Sequence, residues 1–353
     1  MGSSAFLTLR APGRGTRGRR LSQCVTGIVV LLTGLVVSAC GAGEGGAHVA
    51  AAGLVFHRMA LPIRHADIAS LDWGRQQGGW LLLDKQRPGK NGTFLYHTWL
   101  YHARRFPGPW RLVAQNVLPP NVSLDFVTPR IGWAVEGLGV TLGYSQSRLL
   151  TTDDGGKTWR IATKPLWLLA GPSSMAFVSP AQGVLVGGPG GGVTEVGMFT
   201  QDSGKRWLGL PALTAEPQNL GASLTVTQAA WLSPRIVMVA NGYWTERRHK
   251  NWPILELMTL SLSHRTWHRI RLPVQRLEGT PAGLAFTSPT QGWAALTQDQ
   301  ATEVVTTTNG GRQWTAATFG PRKTLAQETV IMAPMNVRRG CVATLTQLWC
   351  TAS

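Results

Sequence analysis

Two aspartates and two glycines fall within nine residues, TTDDGGKTW, at positions 151–159. Neighbouring carboxylates can act as general acid and base, and acids beside a glycine-rich turn can bind calcium. Calcium takes about six to eight oxygen ligands, however, and only two acids are local here. The stretch therefore predicts no metal site. Recurrence decides between catalysis and structure, because a catalytic constellation occurs once whereas a structural turn can repeat.

The stretch does recur, and each copy follows a second motif. Its further copies are TQDSGKRW at 200–207 and TTNGGRQW at 307–314, with degenerate versions that end at Trp110 and Trp267. The preceding motif reads FVTPRIGWAV, FVSPAQGVLV, WLSPRIVMVA and FTSPTQGWAA, and its degenerate version is LDWGRQQGGWLL. Two motifs that alternate in this way, in units of about 50 residues, predict a repeat protein.

Each unit consists of short runs of β-branched and aromatic residues separated by Ser-Pro, Gly-Gly or Asn-Gly. Such runs predict strands and such dipeptides predict turns, which gives about four antiparallel strands per unit. A unit of this kind is typical of a β-propeller blade, which buries its faces against neighbouring blades. A low charged fraction of 14 %, with 15 tryptophans and 42 glycines, agrees with an all-β chain rich in turns.

The turn motif resembles the Asp-box, or bacterial neuraminidase repeat, Ser/Thr-x-Asp-x-Gly-x-x-Trp, although Asn309 replaces the aspartate in one copy. The combined unit resembles the photosystem II assembly-factor-like propellers over roughly residues 66–353. The resemblance implies structural turns, in which the aspartate accepts backbone N–H bonds and the tryptophan lies beneath the hairpin. The residues concerned are Thr152, Asp154, Gly156, Trp159, Thr200, Asp202, Gly204, Trp207, Thr307, Asn309, Gly311 and Trp314.

The number of blades follows from the ends of the chain. Five units are complete, and after Trp314 the sequence offers three further strands. The segment GLVFHRMAL at 53–61 can supply the missing fourth strand. We therefore predict a six-bladed propeller over 53–353, closed by the N-terminal strand joining the C-terminal blade. Seven blades is the alternative, since the photosystem-assembly relatives often have seven.

The N-terminus predicts export and lipid attachment. Residues 1–24 carry five arginines and no acid, and an uncharged apolar segment follows at 25–37. Its end, Val-Ser-Ala-Cys40, resembles the bacterial lipobox, in which the cysteine is lipidated. We therefore expect a lipoprotein signal peptide at 1–39, a flexible tether at 40–52, and a place on the extracytoplasmic side of the cell membrane. An ordinary signal peptide with a chance cysteine is the alternative.

Export also bears on the remaining cysteines. Cys341 and Cys350 flank VATLTQLW near the C-terminus and have no companions at zinc-ligand spacing. An exported chain lies in oxidising surroundings, so this pair is predicted to form a disulfide. Two free buried thiols are the alternative.

The turns between the second and third strands of each blade lie opposite both repeated motifs, and they predict the binding face. They occupy 84–94, 136–146, 187–197 and 241–253; the last of them combines cations with aromatic residues, and three cations add charge in the first. This composition predicts an anionic partner, such as a glycan, a wall polymer, lipid headgroups or an acidic protein. A solvated basic loop without a ligand is the alternative. The candidate binding residues are Lys85, Arg87, Lys90, Tyr243, Trp244, Arg247, Arg248, Lys250 and Trp252.

The sequence thus predicts a monomeric, membrane-anchored module that binds or assembles a partner, with no cofactor and no enzymatic activity. Export argues against a nucleic-acid partner. A sialidase or other glycoside hydrolase is the alternative, because sialidases share the six-bladed Asp-box architecture. The Arg-Ile-Pro signature of sialidases is missing, and no motif places a glutamate beside any of the four tyrosines. Glu136, Glu195 and Glu246 lie in the predicted binding loops and leave carboxylate chemistry open.

Overall fold

The computed structural model describes residues 53–74, 78–90, 93–141, 144–162, 166–168, 172–187, 196–211, 223–247, 250–274, 277–299, 301–320, 324–325 and 330–352. The predicted signal peptide, lipid-attachment site and tether lie outside these ranges. Within them the regular structure is β-strand, without α-helix. Consistently, the described part of the chain contains no helix with the length and apolarity that crossing a membrane requires.

The strands follow the repeats. A lone strand β1 (Val55–Met59) comes first. The first blade contains β2 (Asp67–Gly74), β3 (Gly78–Pro88), β4 (Phe94–Ala103) and β5 (Arg111–Gln115). The second contains β6 (Val122–Phe126), β7 (Gly132–Thr141), β8 (Tyr144–Thr152), β9 (Arg160–Ile161) and β10 (Leu166–Leu168). The third contains β11 (Pro172–Phe177), β12 (Gly183–Gly187), β13 (Val196–Thr200) and β14 (Leu208–Gly209).

The second half of the chain continues the pattern. The fourth blade contains β15 (Ser223–Ser233), β16 (Ile236–Arg247), β17 (Lys250–Ser261) and β18 (Thr266–Arg271). The fifth contains β19 (Thr280–Ser288), β20 (Gln291–Gln298), β21 (Ala301–Thr307) and β22 (Thr315–Ala316), after which comes the short β23 (Thr318–Phe319). The last strands are β24 (Ile331–Asn336), β25 (Arg339–Ala343) and β26 (Leu348–Thr351).

Six sheets form from these strands, and within each blade sequence neighbours pair antiparallel. The fourth position of the second blade is shared, because β9 and β10 both pair with β8. The innermost strands β2, β6, β11, β15, β19 and β24 contact one another in that order, and β24 contacts β2. The all-β propeller of six four-stranded blades is therefore confirmed, and the seven-bladed alternative is wrong.

The ring closes where the two ends of the chain meet. β1 pairs antiparallel with β26, with Phe56 opposite Thr351, and so supplies the fourth strand of the last blade. This confirms the predicted closure. β23 adds a parallel strand outside β1. In the same sheet, Cys341 and Cys350 lie opposite each other on β25 and β26 and are joined by a disulfide bond.

Aromatic residues of the two repeated motifs interlock between neighbouring blades. The Trp80 ring stacks on Phe126 of the next blade with centroids 3.9 Å apart, and Trp133 stacks on Phe177 at 3.8 Å. Phe126 also meets Trp159 of its own blade edge-on at 5.8 Å. Phe126 thus contacts the first-motif tryptophan of the preceding blade and the turn-motif tryptophan of its own blade. This shared contact explains why the three aromatic positions recur together.

Two acids add polar contacts between the innermost strands. Asp72 and Asp125 hold equivalent positions in the first two blades, and each accepts a hydrogen bond from the backbone N–H of the next blade, at Phe126 and Phe177. Desolvation by the surrounding strands raises the pKa of Asp72 to about 7. Desolvation and the nearby charge of Asp72 also raise the pKa of Asp125 well above its ordinary value.

Candidate functional site

The turn after β8 is held by its own polar side chains. The Thr152 hydroxyl accepts a hydrogen bond from the Gly156 N–H at 2.9 Å and donates one to the Asp154 carboxylate at 2.8 Å. That carboxylate also accepts bonds from the Thr158 N–H at 3.0 Å and the Thr158 hydroxyl at 2.6 Å. The Trp159 indole donates to the Gly156 carbonyl at 3.1 Å. Gly156 has a φ of 87°, a conformation that favours glycine.

The turns at 200–207 and 307–314 repeat this geometry; with 152–159 they are called the motif turns below. Thr200 accepts from the Gly204 N–H at 2.9 Å, as Thr307 does from the Gly311 N–H. Asp202 accepts from the Arg206 N–H at 2.8 Å, and its counterpart Asn309 accepts from the Gln313 N–H at 2.9 Å. The Trp207 indole repeats the bond of its first-turn counterpart, whereas Trp314 donates instead to Pro273 at 2.8 Å.

These contacts change the acidity of the motif carboxylates. Hydrogen bonds from Thr158 are the main cause that lowers the pKa of Asp154 to about 2, and a backbone bond from Arg206 lowers that of Asp202. A carboxylate with a lowered pKa is a poor general base near neutral pH. The neighbouring Asp153 is exposed and forms an ion pair with Arg160 at 2.7 Å. The motif turns therefore have the geometry of structural elements.

Strand direction alternates within a blade, so the motif turns and the turns between first and second strands share one end, the motif face. The turns between second and third strands and the connections between blades occupy the other end, the hairpin face. On that face β3 and β4 extend beyond their neighbours. They pair from Gly79–Ala103 to Pro88–Phe94, whereas β2 reaches only Asp84 and β5 only Trp99. Among the described residues no third strand pairs with the projecting part.

The projecting β3–β4 hairpin, residues 85–97, carries exposed side chains on both of its sides. Directly opposed residues share a face, so Phe94 lies with Pro88 and Tyr96 with Gln86, while Leu95 lies with Arg87 on the other side. The side chains of Phe94, Leu95 and Tyr96 are 59, 63 and 49 % exposed. The candidates Arg87 and Lys90 are also exposed, and Lys85 is half-buried. Three consecutive exposed apolar residues were missed by the sequence reasoning, which followed the cations.

The predicted loop at 241–253 is wrong, because β16 and β17 form a hairpin of 12 residues on each strand. Its Asn-Gly pair lies within a strand, since the Tyr-Trp-Thr that follows has high β-propensity and finds a partner strand. Tyr243 is only 3 % exposed and is not available to a ligand. Trp244 pairs with Pro253 and Trp252 with Thr245, so the two half-buried tryptophans point to opposite sides.

The remaining candidates of that hairpin surround its turn. Arg247 and Lys250 end and begin the two strands and form the last pair of the ladder. Arg248 lies outside the described residues. In the same way, the segments 84–94 and 136–146 are largely strand rather than loop, because β3, β4, β7 and β8 extend into them.

The structure describes two of the three glutamates considered for hydrolysis, and these two lie in different blades. Glu136 is 7 % exposed and forms an ion pair with Arg148, 2.5 Å between Nη2 and Oε2. Glu246 is exposed near the tip of the β16–β17 hairpin, and Glu195 lies outside the described residues. Within the described part of the chain, no three His, Cys, Asp or Glu residues are grouped so that they could hold a metal ion.

One acid of the hairpin face stands out. Asp84, at the base of the β3–β4 hairpin, is 8 % exposed and lies directly opposite Asp67 on β2. Burial, followed by the charge of Asp67, raises its pKa to about 6. A carboxyl with this acidity can remain partly protonated near neutral pH.

The fold is a six-bladed β-propeller. The turns of one face use their polar groups in hydrogen bonds within the turn, and the other face carries projecting hairpins of unequal length. Neither a protein-family model nor a curated protein sequence matches the chain. Among solved structures, "YCF48 bound to D1 peptide" aligns with 84 % of this chain and 95 % of that one, at 16 % identity and TM-score 0.49.

Two carbohydrate-active enzymes also align with the chain. An α-L-arabinanase of Penicillium chrysogenum complexed with arabinobiose covers 83 % of this chain and 99 % of its own, at 11 % identity and TM-score 0.49. The GH93 α-L-arabinofuranosidase of Fusarium graminearum covers 81 % and 97 %, at 12 % identity and TM-score 0.47.

Proposed function

We propose that the protein is a lipid-anchored, extracytoplasmic module that binds an anionic or protein partner through its hairpin face and is not itself an enzyme. The observation that carries this proposal is the tip of the β3–β4 hairpin, where Phe94, Leu95 and Tyr96 are exposed beyond the end of the blade. Isolated exposed apolar residues are common, whereas Phe94 and Tyr96 share one side of a projecting element, with Leu95 on the other side. Apolar residues grouped in this way are typical of interaction sites.

Charge indicates the kind of partner. Residues 85–97 include two lysines and one arginine but no acid. The nearest acid, Asp84, is buried at the base of the hairpin. Cations beside exposed aromatic side chains favour a partner that offers both negative charge and apolar surface.

The place where the chain enters the propeller fits this role. The Leu54 carbonyl accepts a hydrogen bond from the Thr318 N–H at 2.8 Å, a few residues after the motif turn that ends at Trp314. A tether at 40–52 would therefore join the propeller near its motif face. This point of entry lies at the opposite end of the propeller from the hairpin face.

The anchor is tested by Cys40→Ala. Two or more acyl chains give stable attachment where one is marginal, so the variant should leave the membrane fraction or keep its signal segment. Fractionation with mass spectrometry of the mature form measures both. Unchanged fractionation together with unchanged mass would refute the anchor and leave the binding proposal standing.

Partner binding is tested by charge reversal at the hairpin. Arg87→Glu with Lys90→Glu should abolish capture of a partner from membrane extract, and wild-type capture should weaken as salt rises, because exposed charges are screened. The matched control is Arg104→Glu with Arg105→Glu, two exposed arginines in the turn after β4 on the motif face. Equal loss in both variants, or loss in neither, would contradict a role for the hairpin.

A glycoside hydrolase is the second candidate, and the observation that favours it is Asp84. A carboxyl whose pKa is raised to about 6 has the acidity that a general acid needs. The measurement is turnover of arylglycosides by purified protein, compared with Asp84→Asn and Glu246→Gln. Turnover that disappears in either variant would establish the hydrolase and overturn the binding-only proposal.

A further inference from the structure

A second feature of the hairpin face lies at the seam where the chain ends join. The connection from β1 to β2 and the turn from β25 to β26 enclose an open pocket of about 890 Å³. Backbone hydrogen bonds hold both walls. The Ile68 N–H donates to the Leu345 carbonyl at 2.6 Å, and the Thr344 N–H donates to the Gln347 carbonyl at 2.9 Å.

The floor of this seam pocket is apolar. Met59, Leu61 and Ile63 line it, and all three are half-buried against the core between the last and first blades. Beneath them that core contains Leu348 and the disulfide-bonded Cys350. Side chains supported in this way keep their positions, so the floor is largely preformed.

The rim of the pocket is cationic. Arg58, Arg64 and His65 line it and are exposed. Within the described part of the chain none of their side chains has a hydrogen-bond or ion-pair partner. No acidic residue lines the pocket. Two arginines without internal partners can therefore direct their donors at a ligand.

The first blade adds positive charge on the same side. Lys85 follows Leu81 and Leu83 at alternate positions of β3, and those leucines lie in the core shared with the last blade. Alternation places the side chain of Lys85 on the side that faces the seam. Lys85 therefore adds a positive charge on this side of the propeller, where the paired acids Asp67 and Asp84 also lie.

We infer that the seam pocket binds a small amphiphilic anion, with a carboxylate or phosphate headgroup at the arginines and an aliphatic body on the apolar floor. Ligand pockets commonly measure about 300–1,000 Å³, and the observed volume lies within that range. Arginine donors recognise carboxylate and phosphate oxygens with paired N–H groups. This site is separate from the tip of the β3–β4 hairpin and goes beyond the proposed function.

Four probes that share parts of the ligand test this inference by calorimetry on the mature protein. Decanoate and decyl phosphate, kept below micelle-forming concentration, offer both parts and distinguish the two headgroups. Decanol offers the body alone and inorganic phosphate the charge alone. At least one of the two amphiphilic anions should bind at least about 10-fold more tightly than decanol and inorganic phosphate, since it combines charge-assisted hydrogen bonds with apolar contact.

Variants locate the binding. Arg58→Ala with Arg64→Ala should lower the affinity for the anion at least about 10-fold. The matched pair Arg104→Ala with Arg105→Ala should leave that affinity unchanged. Ala60→Trp, at an exposed position of the lining, should block the pocket while keeping both arginines. It also serves if the arginine variant does not fold.

Several results would overturn the inference. Decanol binding as tightly as the anions would indicate apolar adsorption, and inorganic phosphate binding as tightly would indicate a simple anion site. Absence of measurable binding by both amphiphilic anions, or equal weakening by both arginine pairs, would also refute it. Binding that survives Ala60→Trp would place the ligand elsewhere.

Discussion

The two faces of this propeller differ in whether their polar side chains are used in local hydrogen bonds. On the motif face, three turns repeat one set of hydrogen bonds, with the threonine hydroxyl 2.9 Å from the glycine N–H in each. On the hairpin face, the β3–β4 and β16–β17 hairpins differ in length, sequence and burial. Side chains that satisfy their own turn have little capacity left for a ligand, whereas those of a projecting hairpin keep theirs.

The largest expected effect tests the hairpin face. Replacing Phe94, Leu95 and Tyr96 by serine should weaken partner binding by about 100-fold, because buried aromatic and apolar anchors supply most interface energy. The free energy of unfolding should change by less than about 0.5 kcal/mol, since these side chains are exposed. Binding assays and denaturant unfolding on the same preparations measure both. A large loss of stability with intact binding would reverse the proposed difference between the faces.

The motif face should respond in the opposite sense. Asp154→Ala should lower the free energy of unfolding by about 1 kcal/mol, because it removes the acceptor of the Thr158 and Thr152 donors, the first of which is exposed and can bond water. Partner binding should remain at the wild-type level. Chemical denaturation and the binding assay provide the comparison, with exposed Asp153→Ala as the matched control. If binding were lost while stability stayed constant, the motif turn would be a ligand site.

The pKa of Asp72, between the first two blades, is shifted in the opposite direction from the pKa of Asp154. The folded-state pKa of Asp72 is raised to about 7, so its stabilising contribution is full below 3.8 and is lost as pH rises through about 7. Asp72→Asn keeps an acceptor for the Phe126 N–H and cannot ionise. The variant should gain about 1 kcal/mol or more over wild type between pH 4 and pH 8. Thermal unfolding across this range measures it.

The pH dependence of stability has the opposite sign for Asp154. The folded-state pKa of Asp154 is lowered to about 2, so its contribution is present above 3.8 and is lost as pH falls towards 2. Asp154→Asn should therefore be less stable than wild type at neutral pH, with a difference that shrinks in acid. Parallel pH profiles for Asp72→Asn and Asp154→Asn would contradict the assigned environments.

The smallest effect concerns the turn that lacks an aspartate. Asn309→Asp should raise the free energy of unfolding by about 0.5 kcal/mol at neutral pH, because the Gln313 N–H would then donate to a charged acceptor. The gain should vanish when the carboxyl is protonated. Denaturant midpoints at pH 7 and at pH 2 or below provide the measurement, and a loss of stability at pH 7 would show that the third turn differs from the first two.

Much of the fold could be predicted because the repeats report local requirements. A Thr-x-Asp turn with a following glycine specifies its own hydrogen bonds, and β-branched runs between turn residues specify strands. Counting these units also predicted that the segment at 53–61 would complete the last blade. The sequence could not show that Trp80 stacks on Phe126 of the next blade, since that contact depends on how the blades are arranged.

The candidate site was less predictable. The cations of the segment at 241–253 predicted a binding loop there. Pairing of two long strands instead buries Tyr243 and places Trp244 and Trp252 on opposite sides of the hairpin. Exposure of the tip at Phe94 results from β3 and β4 being longer than their neighbours, which single-strand patterns do not reveal.

The sequence alone determined the all-β class, the six-bladed closure and the turns of the motif face, because each depends on residues close together in the chain or on a count of repeats. The tertiary structure decided which side chains remain exposed on the hairpin face. It also decided that Arg58 and Arg64 meet the turn before β26 in one pocket, although more than 280 residues separate them from it. Burial and charge at such a place are sums over distant segments, and only the closed ring brings those segments together.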